Sequence, residues 1–414
     1  MKEWISEPAR DIPVSGDYDV VVVGGGIAGV AAALAAARGG SSVCLIEKAC
    51  ALGGLATIGN VIVYLPLCDG RGRQVIGGIG EELLKLSVDD VSEPIENIKV
   101  IPAPACWLPG GDLEERKKQR YRSCYNPITF LYKLERLLLK NRVKLFYDMR
   151  FCGVVQDGRR ISAVLVESKS GRAALRCKAV VDASGDADVC FAAGEKTQSL
   201  KTNVRCGWYY YIDHAGQARL MPLTKPFNAT RRLPESGEMF RGDDATQVTK
   251  MVLASRQLMM DDLAAKQAKS GGNPYPIMMP TIPCFRMTRR LVGKVTLRPS
   301  DDHRWFSDTL GMTGDWRKAG PIYCLPMRAM AAVQTPNLIT AGRCLSAGGD
   351  TWDVTRVIPT CAVSGEIAGA AAAFLARENG NVGFSDLDIA DLQRYLRRRR
   401  NIIDRSLIEG KGEE

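Results

Sequence analysis

Three glycines and one acid carry the most specific chemistry in this 414-residue chain. They stand in the stretch YDVVVVGGGIAGVAAALAAARGGSSVCLIEK, where Gly24-x-Gly26-x-x-Gly29 follows a run of valines and Glu47 comes later. The first glycine permits a tight turn, the second lets backbone approach a pyrophosphate, and the third lets a helix pack closely on a strand. Ile27 and Ala28 open that helix, so its unpaired N–H groups and positive dipole end meet the anion. Glu47, about twenty residues beyond the glycines, can accept hydrogen bonds from a ribose hydroxyl and would repel a 2′-phosphate. The chemistry predicted is dinucleotide binding.

A second helix start has the same electrostatic character. In RVIPTCAVSGEIAG (Arg356 to Gly369), Ile358 and Pro359 begin a run of small residues without charge in its first turns. Proline suits a first helical turn because its missing N–H would be unpaired there. Thr360, Cys361 and Ala362 are then expected to offer free N–H groups. The run is apolar enough to suggest a membrane segment, but Glu366 within it argues against insertion.

Other reactive side chains are sparse. Thirteen cysteines are scattered without a Cys-x-x-Cys, and His214 and His303 are the only imidazoles, so no metal site is expected. Free thiols and a charged N-terminus point to a cytoplasmic protein. His214 and His303 read as surface residues, and Tyr209 to Tyr211 as alternating strand positions, one or two of them facing a core or cavity. Net charge is +10. The basic run Arg394 to Arg405 reads as the solvated face of a terminal helix, not a nucleic-acid site.

These residues need elements to hold them. Val20 to Val23 and Val43 to Ile46 read as strands buried on both faces of a parallel sheet. Asn141 to Gly171 alternates as strands, with a hairpin signal at Asp157-Gly158. Ala179 to Val189 and Thr335 to Gly349 each read as an apolar strand ending in a small-residue turn. Between Lys201 and Gly320 aromatic, Met, Pro and basic content rises, and no second glycine motif occurs.

With Gly53 and Gly54 placed just after Glu47 and Lys48, the chain resembles the FAD-dependent oxidoreductases of the glutathione-reductase-like Rossmann superfamily. Within them it is most similar to the bacterial FAD-dependent oxidoreductase family, through YDVVVVGGG and YLPLCDGRGRQVIGGIGEELL (Tyr64 to Leu84). The resemblance implies that FAD is the cofactor and that Gly53 and Gly54 pass close to its pyrophosphate. It places Phe151 and Cys152 beside the adenine and Ala183-Ser184-Gly185 at a second contact. Gly342-Arg343 makes the third, with Arg343 where many relatives carry Asp, which favours the pyrophosphate. It aims the helix at Ile358, Pro359 and Thr360 at the flavin ring. The motif FRMTRR, with Met287 in place of a family glutamate, leaves Arg286, Arg289 and Arg290 without their motif partner. Arg356, Arg286 and Arg289 are the candidates for a substrate-facing charge, with Asp350 and Asp353 as weaker proton acceptors in the same loop as Arg356.

The expected fold class is α/β, an FAD-binding Rossmann-type doubly wound parallel sheet with a β-hairpin or three-strand insertion and an inserted α+β substrate domain. The expected division is 1–87, 124–200 and 321–414 for the FAD-binding domain, 88–123 for a small excursion and 201–320 for the substrate domain. The expected activity is hydride transfer between flavin N5 and a small substrate, with the arginines favouring an anionic one. The alternatives are a flavoprotein subunit that passes electrons to a partner redox protein, or one that uses FAD structurally.

Overall fold

The computed structural model describes residues 4–108, 110–118, 122–223, 238–270, 274–378 and 382–409. Strand β1 (Val14–Val23) leads through the glycine turn into helix α1 (Ile27–Arg38), then β2 (Val43–Ile46). After the short strand β3 (Val63–Tyr64) come α2 (Gly78–Val88), α3 (Leu113–Lys118), β4 (Ser123–Cys124), which pairs with β3, and α4 (Pro127–Lys140). Strand β5 (Lys144–Phe146) is followed by a meander of β6 (Arg150–Asp157), β7 (Arg160–Ser168) and β8 (Gly171–Asp182).

These strands form one sheet in the order β5-β2-β1-β8-β7-β6, and β16 (Leu338–Thr340) also joins β8. Pairing is parallel from β5 to β8, with Val20 opposite both Val43 and Ala179. The twelve-residue β8 divides the sheet. Its first half pairs antiparallel with β7, and its last residues, Val180 to Asp182, pair parallel with β16. The hairpin between β6 and β7 turns at Gly158, whose φ of 58° favours glycine. Val20 to Val23 are all buried, as a central parallel strand requires.

Two alanine- and glycine-rich helices lie together on the sheet. Helix α7 (Asp350–Thr355) precedes α8 (Ile358–Arg377). A Cβ at Gly365 would lie 2.2 Å from Ala28 O and one at Gly369 2.0 Å from Ala32 O. Both contacts advance by four residues in the same direction, so α1 and α8 run side by side in parallel and their N-termini reach the same end of the sheet. A helical glycine costs about 1 kcal/mol relative to alanine; here it permits backbone-to-backbone contact that no side chain would allow. Helix α8 is long and apolar enough to cross a membrane, yet most of it is buried within the fold.

Glu366 sits in the middle of α8, only 3% exposed, and accepts the Ile79 N–H at 3.0 Å. Burial pushes its carboxyl from the ordinary 4.5 up to about 8. The folded chain therefore holds this proton where the unfolded chain has released it, and stability falls as pH rises from 4.5 to 8. Replacing Glu366 with Gln should remove that slope and raise stability at pH 8 by roughly 4 kcal/mol. Urea unfolding at pH 5.5 and 8 checks it; an unchanged slope would place the proton elsewhere.

The intervening chain builds a second body. Helix α5 (Asp188–Ala192) and β9 (Thr197–Ser199) lead to β10 (Gly207–Ile212) and β11 (Ala218–Leu223), and α6 (Ala245–Ser270) precedes β12 (Tyr275–Met278). Strands β11-β10-β12 form a sheet against which α6 packs. Tyr209 and Tyr211 share the face toward Met259 and Leu263, and Tyr209 Oη donates to Asp262 at 2.6 Å. Tyr210 points the other way, into the main core. Strand β13 (Arg289–Leu291) pairs back with β9. The hairpin β14 (Thr309–Gly314) and β15 (Ile322–Pro326) lies near α8 and the amphipathic helix α9 (Ile389–Arg398), not on the three-stranded sheet.

Candidate active site

The N-termini of α1 and α8 open onto one cleft. Three chain turns meet there: the glycine turn after β1, the Ala183-Ser184-Gly185 turn after β8, and the Gly342-Arg343 turn after β16. Gly24 has φ 104°, and a Cβ there would meet Ala183 O at 2.5 Å; one at Gly29 would be 1.8 Å from Gly24 O. These two glycines hold the turn itself. Gly26 differs, because a Cβ added to it would meet nothing within 4 Å. Its space is open on the side of the cleft, as an anion at the α1 N-terminus requires. Gly53 N–H donates to Gly25 O at 2.8 Å, which lays the Gly53-Gly54 loop alongside. The glycine cradle, the helix end and the acid beside them fit the pyrophosphate and ribose of FAD.

Glu47 and Lys48 line the same cleft. The Glu47 carboxylate accepts the N–H groups of Gly25 at 2.6 Å and Ala49 at 2.8 Å, which fixes it at the rim. Phe151 and Cys152, expected beside the adenine, are not among the cleft-lining residues. They lie on outer strand β6, Phe151 packed on the second hydrophobic cluster and Cys152 exposed. In this structure the residue that comes back to Glu47 is Met149, whose N–H donates to the Glu47 carbonyl at 3.1 Å.

Ile358 lines the cleft, and Pro359 and Thr360 are buried behind it. Helix α8 begins one residue before the proline, so Pro359 is its second residue. The Cys361 N–H already donates to Val357 O at 2.8 Å. The N–H groups ahead of the hydrogen-bond ladder are therefore those of Ile358 and Thr360, not the three from Thr360 to Ala362 that the sequence suggested. Thr360 Oγ1 is 2.8 Å from Thr313 Oγ1 and tethers this end to β14.

The arginines separate into different roles. Arg289 is not at the cleft: its Nε donates to Asp186 O at 2.8 Å, its Nη2 pairs with Asp188 at 2.6 Å, and it stacks over Phe191. That structural engagement corrects its place among the substrate-facing candidates. Arg290 is buried over Trp352 and bonded to Leu291 O, Ser346 and Gln198, and burial pulls its guanidinium down to about 10. Arg343 does line the cleft but clamps its floor, donating to Gly185 O, Phe285 O and Asp186. Arg356 lines the cleft with its Nη2 on Asp353. Its Nε, like that of Arg286, is buried with no hydrogen-bond partner among the described residues. An unmet buried donor costs about 1–3 kcal/mol, so a group that satisfies it gains that much. Burial lowers the Arg356 pKa, and the charges of Arg286 and Arg343 act in the same direction.

Asp350 and Asp353 stand on helix α7, not in a loop, and both pair with Arg317, which Asp315 also holds. With their charges engaged they fit the positioning of Arg356 better than proton transfer. His214 is exposed in a turn; His303 is mostly buried, its Nδ1 2.5 Å from Asp302, away from the cleft. Sequence reasoning missed the apolar wall of Ile58, Ile282, Pro283 and Phe285, and the thiol of Cys361, which burial pushes up to about 11. Ile282 to Phe285 directly precede the arginine motif, but nothing in their residue types signals a cleft wall.

A family model described as FAD dependent oxidoreductase matches residues 19–202 and 227–396. The chain belongs to the FAD-dependent oxidoreductase family, and FAD is its cofactor. It is also similar to a thioredoxin reductase of Ureaplasma parvum serovar 3, at 35% identity over 83 residues. That match spans 20% of this chain and 27% of the relative, so the chain covers about a quarter of that protein. Among solved structures, a p-nitrophenol 4-monooxygenase from Pseudomonas putida DLL-E4 shares 13% identity at a TM-score of 0.47, covering 90% of this chain and 83% of its own. A geranylgeranyl bacteriochlorophyll reductase-like protein from Thermoplasma acidophilum shares 15% identity at 0.43, covering 92% and 83%.

Proposed function

We propose that this oxidoreductase moves a hydride to or from a small molecule held between the cleft and the apolar wall at Ile282 to Phe285. The observation that carries this reading is the convergence of two parallel helix N-termini, α1 and α8, on one cleft walled by the second body. FAD bound there supplies a two-electron acceptor or donor at N5. Gly26 and the α1 N-terminus hold the pyrophosphate. Glu47, already fixed at the rim, receives the ribose. The N–H groups of Ile358 and Thr360, with the α8 dipole behind them, stabilise negative charge at the ring end. Arg356 adds a cation there, and its engagement with Asp353 keeps it from swinging out to solvent.

Anaerobic mixing of the FAD-loaded protein with candidate metabolites tests the proposal. Bleaching of the flavin absorbance by a small molecule alone supports it. Reduction or reoxidation that requires a second redox protein would overturn it in favour of an electron-transfer subunit.

A further inference from the structure

Two thiols meet behind the cleft wall and take no part in the site described above. Cys206 directly precedes β10, and Cys284 stands between Pro283 and Phe285, both of which line the cleft. Both cysteines are free and buried, at 2% and 6% exposure. The Cys284 thiol is hydrogen-bonded to Cys206, and that bond together with burial holds its pKa well above the ordinary thiol range. The charges of Arg286 and Arg343 act the other way, toward the thiolate that serves as nucleophile. Cys206 Sγ also donates to Cys284 O at 3.6 Å, and Cys284 Sγ to Gly59 O at 3.8 Å. The Cys206 N–H donates to Ser255 Oγ at 3.2 Å, which fixes that backbone against α6.

A small pocket of about 20 Å³ reaches the pair. Cys206 and Cys284 line it with Met251, Met259 and Arg256, and Arg256 is exposed on α6, which places the mouth at the surface. A void of that size holds about one water-sized molecule. It admits a peroxide and is far too small for a tripeptide disulfide such as oxidised glutathione.

We propose that Cys206 and Cys284 are a peroxide-sensitive dithiol that closes to a disulfide behind the cleft wall. One sulfur, as thiolate, attacks a peroxide oxygen; the O–O bond breaks, hydroxide leaves as water with the thiol's proton, and a sulfenic acid forms. The second sulfur attacks the first; the S–S bond forms, the S–O bond breaks, and a second water leaves. Two thiols are oxidised and one hydrogen peroxide is reduced to two waters, so the step needs no flavin. The product exchanges the Cys284 contact with Gly59 for a covalent link from the cleft wall to β10. Gly59 follows Ile58, another cleft residue, so oxidation changes what holds the wall on two sides.

The test uses purified, FAD-loaded protein whose exposed Cys50 and Cys152 are first capped with iodoacetamide. Hydrogen peroxide is added, and the protein is then unfolded, alkylated and mapped by mass spectrometry. A peptide pair joined through Cys206 and Cys284 is expected, two hydrogens lighter than its reduced form and returned to it by dithiothreitol. Oxidised glutathione should give none of this pair on the folded protein. Cys206→Ser and Cys284→Ser should each lose it, and the wild-type map decides the matter where a variant folds poorly. Absence of the pair at a peroxide dose that oxidises Cys152 in uncapped protein would overturn the proposal. An equal yield from oxidised glutathione would also overturn it, because the pocket would then not be the route. So would a cross-link between Cys190 and Cys344, the other buried neighbours, formed as readily as this one.

Discussion

A Gly26→Val variant should fold as the parent does and lose FAD. Gly26 has φ −66° and ψ 176°, an extended conformation that any residue adopts, and its missing side chain faces open space. Valine is a poorer helix cap than glycine, but that penalty is about 1 kcal/mol at most. The same side chain fills the space beside the α1 N-terminus where the pyrophosphate must sit. FAD affinity should drop at least about 100-fold, the equivalent of roughly 2.7 kcal/mol. Gly29→Ala should do the reverse. Its Cβ would stand 1.8 Å from Gly24 O, so the turn or the helix must move, at about 3 kcal/mol of fold stability. Thermal unfolding of the apoproteins and FAD titration of each separate the two glycines. Equal destabilisation by both substitutions would show that Gly26 serves the fold and not the cofactor.

The second large effect is expected at Gly369. A valine there would press against Ala32 O, where even a Cβ lies at 2.0 Å, and neither backbone can yield without separating α1 from α8. Overpacking of this kind costs about 3 kcal/mol and, for 414 residues, lowers Tm by roughly 3–4 °C. The consequence reaches the cleft, because Ala28 on α1 and Ile358 and Cys361 on α8 all line it. Flavin retention should therefore fall together with Tm. A variant that unfolds earlier but keeps full FAD affinity would show that the helix pair does not set the cleft's geometry.

The glycine turn was legible in the sequence because each of its glycines answers a separate steric demand. Gly24 and Gly29 meet backbone and Gly26 meets open space, so spacing alone distinguishes them. The parallel strands were legible for a similar reason: Val20 to Val23 show no alternation and are buried on both faces. The parallel course of α1 and α8 was not legible, although Gly365 and Gly369 marked α8 as a helix that something approaches closely. A spacing of small residues gives a contact face but not the direction of its partner. The arginines show the same limit. Arg286, Arg289 and Arg290 are neighbours in sequence, yet the Nε of the first finds no partner among the described residues, the second is ion-paired over Phe191 and the third is buried over Trp352. Strand alternation sends successive side chains apart, and only the tertiary surroundings determine which finds a carboxylate. Phe151 and Cys152 were placed beside the adenine by resemblance, whereas the structure puts them on β6, the edge strand of the sheet, outside the cleft lining.

The most direct test of the account is the absorbance spectrum of the purified protein, taken before and after incubation with FAD and removal of the excess. It predicts a yellow protein carrying close to one FAD per chain, released on denaturation. A folded protein that remains colourless after reconstitution would contradict it.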